Sequence, residues 1–173
     1  MKGLDIPFEV IPTDNGEENY PKEMSLLEVP AFLAMEKARN FHPKPEENTI
    51  LITADTIVIS DGAILEKPLN LDNARWMLKH LAENHHTVIT GVCLKSLQME
   101  KVFSSTTEVF FGKITNEEID YYLTHYPPLD KAGGYGIQEW IGYVGIKRIE
   151  GSFFNVMGLP VHQLYEELKE FLS

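Results

Sequence analysis

Hydrophobic and polar residues alternate along the chain in short stretches that switch between the spacing of strands and the spacing of helices. The longest apolar stretch, Ile50–Ile59, is rich in β-branched residues and predicts a strand that is buried on at least one face. Shorter stretches of the same kind predict strands at 6–11, 87–94, 102–111 and 140–149. Helical spacing predicts further elements at 31–41, from 70, from 115 to about 123, and from 160.

The helices are predicted from their start signals as well as from their apolar spacing. Pro30 suits the first turn of a helix, and Asn70 is a typical N-cap residue. The segment Thr115-Asn116-Glu117-Glu118 has the sequence of a capping box. The apolar stripes predicted to face the core are Leu71, Ala74, Leu78 and Leu81 in one helix, and Val161, Leu164, Leu168 and Leu172 in the last.

Strands and helices interleave along the whole chain, which favours an α/β domain. Predicted hairpins interrupt the strand–helix–strand alternation, so we expect a mixed sheet flanked by helices. No repeat, low-complexity tract or linker divides the 173 residues. The sequence therefore predicts a single domain over 1–173.

Asp55 lies in the middle of the first long apolar stretch. An unpaired buried carboxylate is costly, so a buried Asp55 would be paired, bound to a metal or protonated. The alternative is an aspartate near a strand end that faces water. Both interpretations are open from the residues alone.

The segment Ser60-Asp61-Gly62 predicts a hairpin directly after this strand, because glycine accepts a positive φ without strain. A three-residue loop would pair Ile59 with Ala63, and would therefore place Asp55 and Lys67 on one face. A two-residue Asp-Gly loop would put Lys67 on the other face. We expect the first arrangement, in which a cation and an anion meet beside a rigid strand.

Composition narrows the functional classes. The chain has 26 acidic and 15 basic residues, a net charge of −11, which disfavours a nucleic-acid polymer as partner. A nucleotide needs only a few local cations and stays compatible with this charge. Cys93 is the only cysteine, and no apolar stretch reaches membrane-spanning length, so we expect a cytoplasmic protein without a membrane partner.

Charged residues outside the hairpin offer candidate ligands for phosphate and metal. Lys37 lies on the helix predicted at 31–41, where a solvated lysine is the simpler interpretation. Glu17 and Glu18 lie in an acidic loop for which solvation is likewise the simpler account. If that loop folds over the Asp55 hairpin, its carboxylates could help hold a hard cation such as Mg²⁺.

Two glycine-containing segments and a histidine pair complete the candidates. Asp130–Gln138 contains three glycines in four positions, which allows close backbone approach or an anion-binding turn, and equally a plain tight turn. Gln138 offers a donor and an acceptor to a base edge or to local backbone. The loop Gly151–Pro160 leads into a helix start, either as an anion site or simply as a capped start. His85 and His86 would point to opposite faces of a strand, so we expect a structural or hydrogen-bonding role.

Five motifs in order resemble the Maf family, also called septum-formation proteins and nucleoside triphosphate pyrophosphatases. The resemblance covers nearly the whole chain. The motifs are Ile52-Thr53-Ala54-Asp55-Thr56, Leu65-Glu66-Lys67-Pro68, Thr90-Gly91-Val92, Asp130-Lys131-Ala132-Gly133-Gly134-Tyr135-Gly136-Ile137-Gln138 and Asn155-Val156-Met157-Gly158-Leu159-Pro160.

The resemblance implies a long twisted mixed sheet, two lobes around a cleft, and often a homodimer. It implies hydrolysis of a nucleoside triphosphate to monophosphate and pyrophosphate with a divalent metal, Mg²⁺ or Mn²⁺. The residues Asp130-Lys131-Ala132-Gly133 and Gly136-Ile137-Gln138 are similar to those of the family branch that acts on dTTP and UTP. The family pattern matches Asp55 to the general base, Glu18, Lys37 and Lys67 to other active-site positions, and Thr56 and Gln138 to base selection. Asp55 and Glu18 are the metal ligands that this implies.

The sequence departs from the family pattern at three places. Glu66 and Glu139 stand where the family usually has glycine. The family's N-terminal Ser-x-Ser-Pro-Arg-Arg segment has no counterpart, because residues 1–8 resemble the segment that follows it. We therefore expect a chain that is truncated at its N-terminus, with self-association or lowered stability. The alternative to an enzyme is a nucleotide-binding regulatory protein without turnover, since arginine forks suit phosphate better than lysines do.

Overall fold

The computed structural model describes residues 1–12, 19–42 and 44–173. The strands are β1 (Leu51–Ser60), β2 (Ala63–Leu65), β3 (His85–Lys95), β4 (Glu100–Phe111) and β5 (Ile146–Glu150). The helices are α1 (Val29–Asn40), α2 (Leu71–Leu81), α3 (Asn116–His125), α4 (Trp140–Gly145), α5 (Phe153–Val156) and α6 (Val161–Phe171). Short 3-10 turns lie at Lys2–Leu4 and Ala132–Gly134.

The strands form one five-stranded sheet in the order β2-β1-β3-β4-β5. Every described strand pairing is antiparallel, so the expected mixed sheet is wrong although the α/β domain is confirmed. Hairpins join β1 to β2 and β3 to β4, and a hairpin forces its two strands to run in opposite directions. The helix α2 then returns the chain so that β3 runs against β1 rather than with it.

Helices cover both faces of the sheet because the strands bury side chains on both sides. On one face, α1 packs Val29 and Leu33 against Ile57 and Ile89. The other face carries two clusters, one with α2 and α3 and one with α6. The largest buried members of these clusters include Leu78, Leu81, Phe111, Ile119, Tyr122, Leu94 and Leu164.

The helix start signals are confirmed. The Asn70 side chain accepts a hydrogen bond from the Asn73 N–H at 2.8 Å, and Thr115 and Glu118 form the reciprocal capping box. Leu172, predicted to face the core, is 73% exposed, because α6 ends at Phe171 and that residue is buried instead.

Two predicted strands are wrong in whole or in part. Residues 6–11 form no strand, and Phe8, Val10 and Ile11 are exposed there. The first six residues of the strand predicted at 140–149 form α4, with Ile141 fully buried. The Gly142 N–H bonds the Glu139 carbonyl and so begins a turn before β5, and the packing of Ile141 in the core cluster overrides β propensity.

Within the described residues, no helix combines the length and apolar character needed to cross a membrane.

Candidate active site

A cavity of about 290 Å³ lies at the edge of the sheet beside the middle of β1. β2 is short and pairs only with Val58–Ser60, so the described structure places no strand beside the preceding part of β1 on that side. Asp55 and Thr56 point to opposite faces of the strand, yet both line the cavity. The remaining lining comes from further residues of β1, from β3, α1, the segment after β2, the 130–138 loop and the segment that ends α5.

The hairpin after β1 has a two-residue turn, and the expected pairing of Ile59 with Ala63 is wrong. Ser60 pairs with Ala63, and Asp61 and Gly62 have φ values of 50° and 75°. Positive φ at both turn residues matches the twist of the flanking strands better than a longer loop does. Lys67 nevertheless lines the same cavity as Asp55, because β2 ends at Leu65 and the chain leaves the sheet.

Asp55 is buried, 7% exposed, and is paired with a cation. The Lys37 ammonium donates a hydrogen bond to Asp55 Oδ1, and the Lys37 side chain is only 24% exposed. Asp55 is therefore not an aspartate that faces water, and Lys37 is not simply a solvated lysine. Among the described residues, Asp55 therefore forms an ion pair with a residue of α1, and not with Lys67 as expected from the hairpin.

A glycine in β3 allows α1 to lie close enough for this pair. Gly91 is directly opposite Asp55 in the β1–β3 register. A Cβ atom at Gly91 would lie 2.2 Å from the backbone of Pro30 and Ala31, so the helix rests on bare strand backbone. The Thr53 hydroxyl donates to the Ala34 carbonyl at 2.6 Å and fixes the same helix to β1.

The glycine-rich loop forms a second wall of the cavity. The Gly133 N–H donates to the Glu66 carbonyl at 3.2 Å, and Gly133 and Gly134 have φ values of 71° and 72°. A Cβ atom at Gly133 would lie 3.1 Å from Val58. Of the alternatives that the sequence left open, the structure shows positive φ at two glycines and close approach at Gly133, and Gln138 lines the cavity from the end of this loop.

Hydrogen bonds and ion pairs hold this loop against α3, and none of these contacts was predicted from the sequence. Lys131 Nζ bonds Asp130 Oδ1 at 2.8 Å and lies 3.2 Å from Glu139 Oε1. The Tyr122 hydroxyl donates to Glu139 Oε2 at 2.5 Å and accepts from the Gly136 N–H at 3.0 Å. The adjacent opposite charges of Asp130 and Lys131 could have indicated the ion pair in this loop. Nothing in the sequence distinguishes Tyr122 from an ordinary core residue of its helix.

These contacts shift the ionisation of the cavity wall. The bond from Lys131, with a smaller contribution from nearby Lys67, lowers the pKa of Asp130. Burial alone lowers the pKa of Lys131, but the bonds to Asp130 and Glu139 outweigh it and raise that pKa. Both groups are therefore charged at neutral pH.

His86 and Tyr135 form a buried pair beneath the cavity. His86 Nε2 lies 2.7 Å from the Tyr135 hydroxyl, and Tyr135 lines the cavity. Burial, with a smaller effect of His85, lowers the pKa of His86 to about 3, so its ring is neutral at neutral pH. The predicted hydrogen-bonding role of this histidine is confirmed.

The cavity thus collects most of the predicted site residues. Lys37, Asp55, Thr56, Lys67 and Gln138 line it together. Glu18 lies outside the described residues. The sequence interpretation gave no role in the site to Thr90 and Asn155, the buried residues behind Thr56.

At the edge of this antiparallel α/β domain, the cavity joins lysines, carboxylates and an amide, as suits the class of proteins that bind compact, highly charged ligands. The model of one family, described as Maf-like protein, matches residues 1–171. The chain belongs to this family.

Several relatives match over nearly the whole chain. A protein of Porphyromonas gingivalis is 51% identical over 173 residues, which cover 99% of this chain and 87% of that protein. A protein of Phocaeicola vulgatus is 49% identical over 170 residues, covering 98% and 88% of the two chains. A protein of Christiangramia forsetii is 45% identical over 175 residues, covering 100% and 88%. Each of the three is named dTTP/UTP pyrophosphatase.

Proposed function

We propose that this protein hydrolyses dTTP and UTP to the nucleoside monophosphate and pyrophosphate. The observation that carries the proposal is the cavity in which buried Asp55, paired with Lys37, lies beside Lys67, Thr56 and Gln138. These are the positions to which the family resemblance gives catalytic and base-selecting roles. The name shared by relatives of 45–51% identity supports the same substrates.

Asp55 is the general base in this proposal. Its carboxylate orients a water molecule and accepts its proton as the water oxygen bonds to phosphorus. The new bond forms at the α-phosphorus, the bond from this phosphorus to the oxygen that bridges to the β-phosphoryl group breaks, and pyrophosphate leaves with that oxygen. Lys37 and Lys67 stabilise the negative charge that grows on the phosphate oxygens.

The residues at the cavity also suit a hard divalent cation in part. Carboxylate oxygens are the ligands that Mg²⁺ and Mn²⁺ prefer, and Asp55 presents one carboxylate there. Within the described part of the chain, no group of three His, Cys, Asp or Glu residues could hold a metal. We propose that Asp55 and Glu18 hold the cation together with the substrate. When bound, it would supply further charge neutralisation at the phosphates.

Thr56 and Gln138 are the proposed base-selecting residues. Both line the cavity and approach it from different elements, β1 and the glycine-rich loop. A hydroxyl and an amide can together pair with the alternating donors and acceptors of a pyrimidine edge.

The test is pyrophosphate release from dTTP and UTP by the native protein and by Asp55→Asn. We expect Asp55→Asn to lower kcat by about 100-fold or more, the usual contribution of a general base. Asp120→Asn is the matched control, because Asp120 is on the exposed side of α3 and does not line the cavity. Equal rates for native protein and Asp55→Asn would remove Asp55 from the mechanism. Binding of dTTP without any hydrolysis by the native protein would instead favour the regulatory alternative.

The homodimer that the resemblance implies is also a proposal. Light scattering of the purified protein measures its mass directly, and a monomer at enzyme-assay concentration would contradict it.

A further inference from the structure

Two successive hydrogen bonds connect the Thr56 hydroxyl to the interior behind it, and we call this pair of bonds the relay. Thr56 Oγ1 lies 2.8 Å from Thr90 Oγ1, and the two threonines are directly opposite each other in the β1–β3 pairing. The Thr90 hydroxyl in turn donates to the main-chain carbonyl of Asn155 at 2.9 Å. Thr90 and Asn155 are fully buried, whereas Thr56 reaches the cavity.

The direction of these hydrogen bonds follows from the last partner. A carbonyl oxygen only accepts, so Thr90 must use its single hydroxyl proton on Asn155. In the contact between the two hydroxyls, Thr90 therefore accepts and Thr56 donates. The proton of Thr56 is held inside the protein, and only its oxygen lone pairs are available to the cavity.

The far end of this relay is fixed to two strands. The Asn155 side-chain amide donates to the Val88 carbonyl at 3.1 Å and to Thr107 Oγ1 at 3.0 Å. Thr107 Oγ1 also accepts from the Ser152 N–H at 3.0 Å. Because α5 is attached to β3 and β4 in this way, the Asn155 carbonyl holds a set position.

The space beside the Thr56 hydroxyl is open because position 158 is a glycine. Gly158 lines the cavity with a φ of 102°, and a Cβ atom there would contact Thr56 Oγ1 at 3.4 Å. The hydroxyl oxygen is therefore accessible to a ligand on the side of the cavity.

We propose that Thr90 and Asn155 are positioning residues that make the Thr56 hydroxyl an acceptor only. This inference rests on the proposed function and names the group of the base that Thr56 recognises. An acceptor pairs with the ring N–H of uracil or thymine, the proton at N3. Cytosine has a lone pair at the same ring nitrogen, so two acceptors would face each other without a proton between them.

The test measures kcat/KM for UTP and CTP and takes their ratio. We expect the native protein to prefer UTP, and Thr90→Val to lower the ratio about tenfold, because the proton of Thr56 is then released to donate to cytosine. Thr90→Ser keeps the relay and should restore the ratio. Thr53→Val is the matched control, since Thr53 of β1 also donates to a main-chain carbonyl, that of buried Ala34 on α1, but does not line the cavity.

The UTP/CTP ratios of these variants show whether Thr90 sets the hydrogen-bonding role of Thr56. An unchanged ratio in a folded Thr90→Val, or an equal drop in Thr53→Val, would overturn the relay. If Thr90→Val does not fold, 3-methyl-UTP tests the same contact in the native protein, because it lacks the N3 proton. We expect this analogue to be hydrolysed at least about tenfold less efficiently than UTP, and equal efficiency would overturn the proposal. A native protein that hydrolyses neither dTTP nor UTP would refute the proposed function itself.

Discussion

At the scale of single residues, the buried carboxylate of Asp55 would cost much desolvation free energy if it had no partner. Its partner Lys37 compensates the desolvation of the carboxylate, and the pair is shielded by α1. Removing one member of such a pair leaves an uncompensated charge, which costs more than the pair itself contributes.

A double-mutant cycle on this pair should therefore show strong coupling. We expect Lys37→Met to lower the free energy of unfolding by about 2 kcal/mol, less than for a fully buried pair because Lys37 is partly exposed. Asp55→Asn should recover part of this loss in the Lys37→Met background. Urea unfolding at pH 7 measures all four proteins.

The pair between Arg39 and Glu100 is the control for this cycle. It also joins α1 to the sheet, but it is more exposed and solvent screens it. Its coupling should be clearly smaller, and equal coupling in both cycles would contradict the importance of burial.

The sequence predicted Asp55 and its surroundings better than it predicted its partner. A carboxylate inside an apolar β-branched strand allowed a buried charge that needs compensation, beside the alternative of an aspartate that faces water. Lys37 is on another element, and no spacing rule connects a helix residue with a strand residue before the packing is known. Lys67 reaches the cavity as expected, although the turn that was to bring it there is of a different length.

At the scale of elements, the contact of α1 with β3 determines where Lys37 lies. The helix crosses Gly91 at a distance that leaves no room for a side chain. Glycine inside a strand usually weakens it, and close approach of another backbone is a common reason for its presence.

We expect Gly91→Ala to displace α1 from the sheet. Overpacking against rigid backbone should lower the free energy of unfolding by about 3 kcal/mol, and the moved helix should lower pyrophosphate release as well. Gly112→Ala is the control, because its Cβ atom would make only an ordinary contact at 3.6 Å with the Gly145 carbonyl. Urea unfolding and the pyrophosphate assay check both variants, and a Gly91→Ala protein of native stability would contradict the close packing.

Elements with local start signals were predictable, and elements determined by distant contacts were not. Asn70 and Thr115 cap their helices as the sequence indicates, because the capping partners lie three residues away. The residues of α4 favour a strand by composition, and only the surrounding fold makes them helical. The antiparallel direction of β3 likewise depends on how α2 crosses the sheet, which no local pattern records.

At the scale of the whole molecule, global stability depends on pH through His86. Burial lowers the pKa of this histidine from 6.5 to about 3, so the unfolded chain binds a proton that the folded protein excludes between these values. Stability is complete above about pH 6.5 and falls as the pH decreases toward 3.

His86→Gln should remove this dependence. We expect the slope of unfolding free energy against pH, between about pH 6 and 4, to fall by about 1.4 kcal/mol per pH unit relative to the native protein. His85→Gln is the control, because the neighbouring ring is exposed. Urea titrations at several pH values give the slopes, and identical slopes for native protein and His86→Gln would contradict a buried neutral ring.

The overall charge of the protein opposes its proposed substrate. At −11 the molecule repels a nucleoside triphosphate at long range, while Lys37, Lys67 and Lys131 attract it within the cavity. Physiological salt screens the long-range part, so the local lysines dominate once the substrate is close.

The pleat of β1 has a consequence for how the protein can change. Asp55 faces α1 and Thr56 faces the opposite side, where Gly158 follows α5, so the proposed hydrolysis and base choice depend on different neighbours. A mutant library confined to α5 and Gly158 could alter the accepted base while Lys37 and Asp55 keep their contact. Adjacent residues of one strand thus give natural selection, or an engineer, separate control over reaction rate and substrate range.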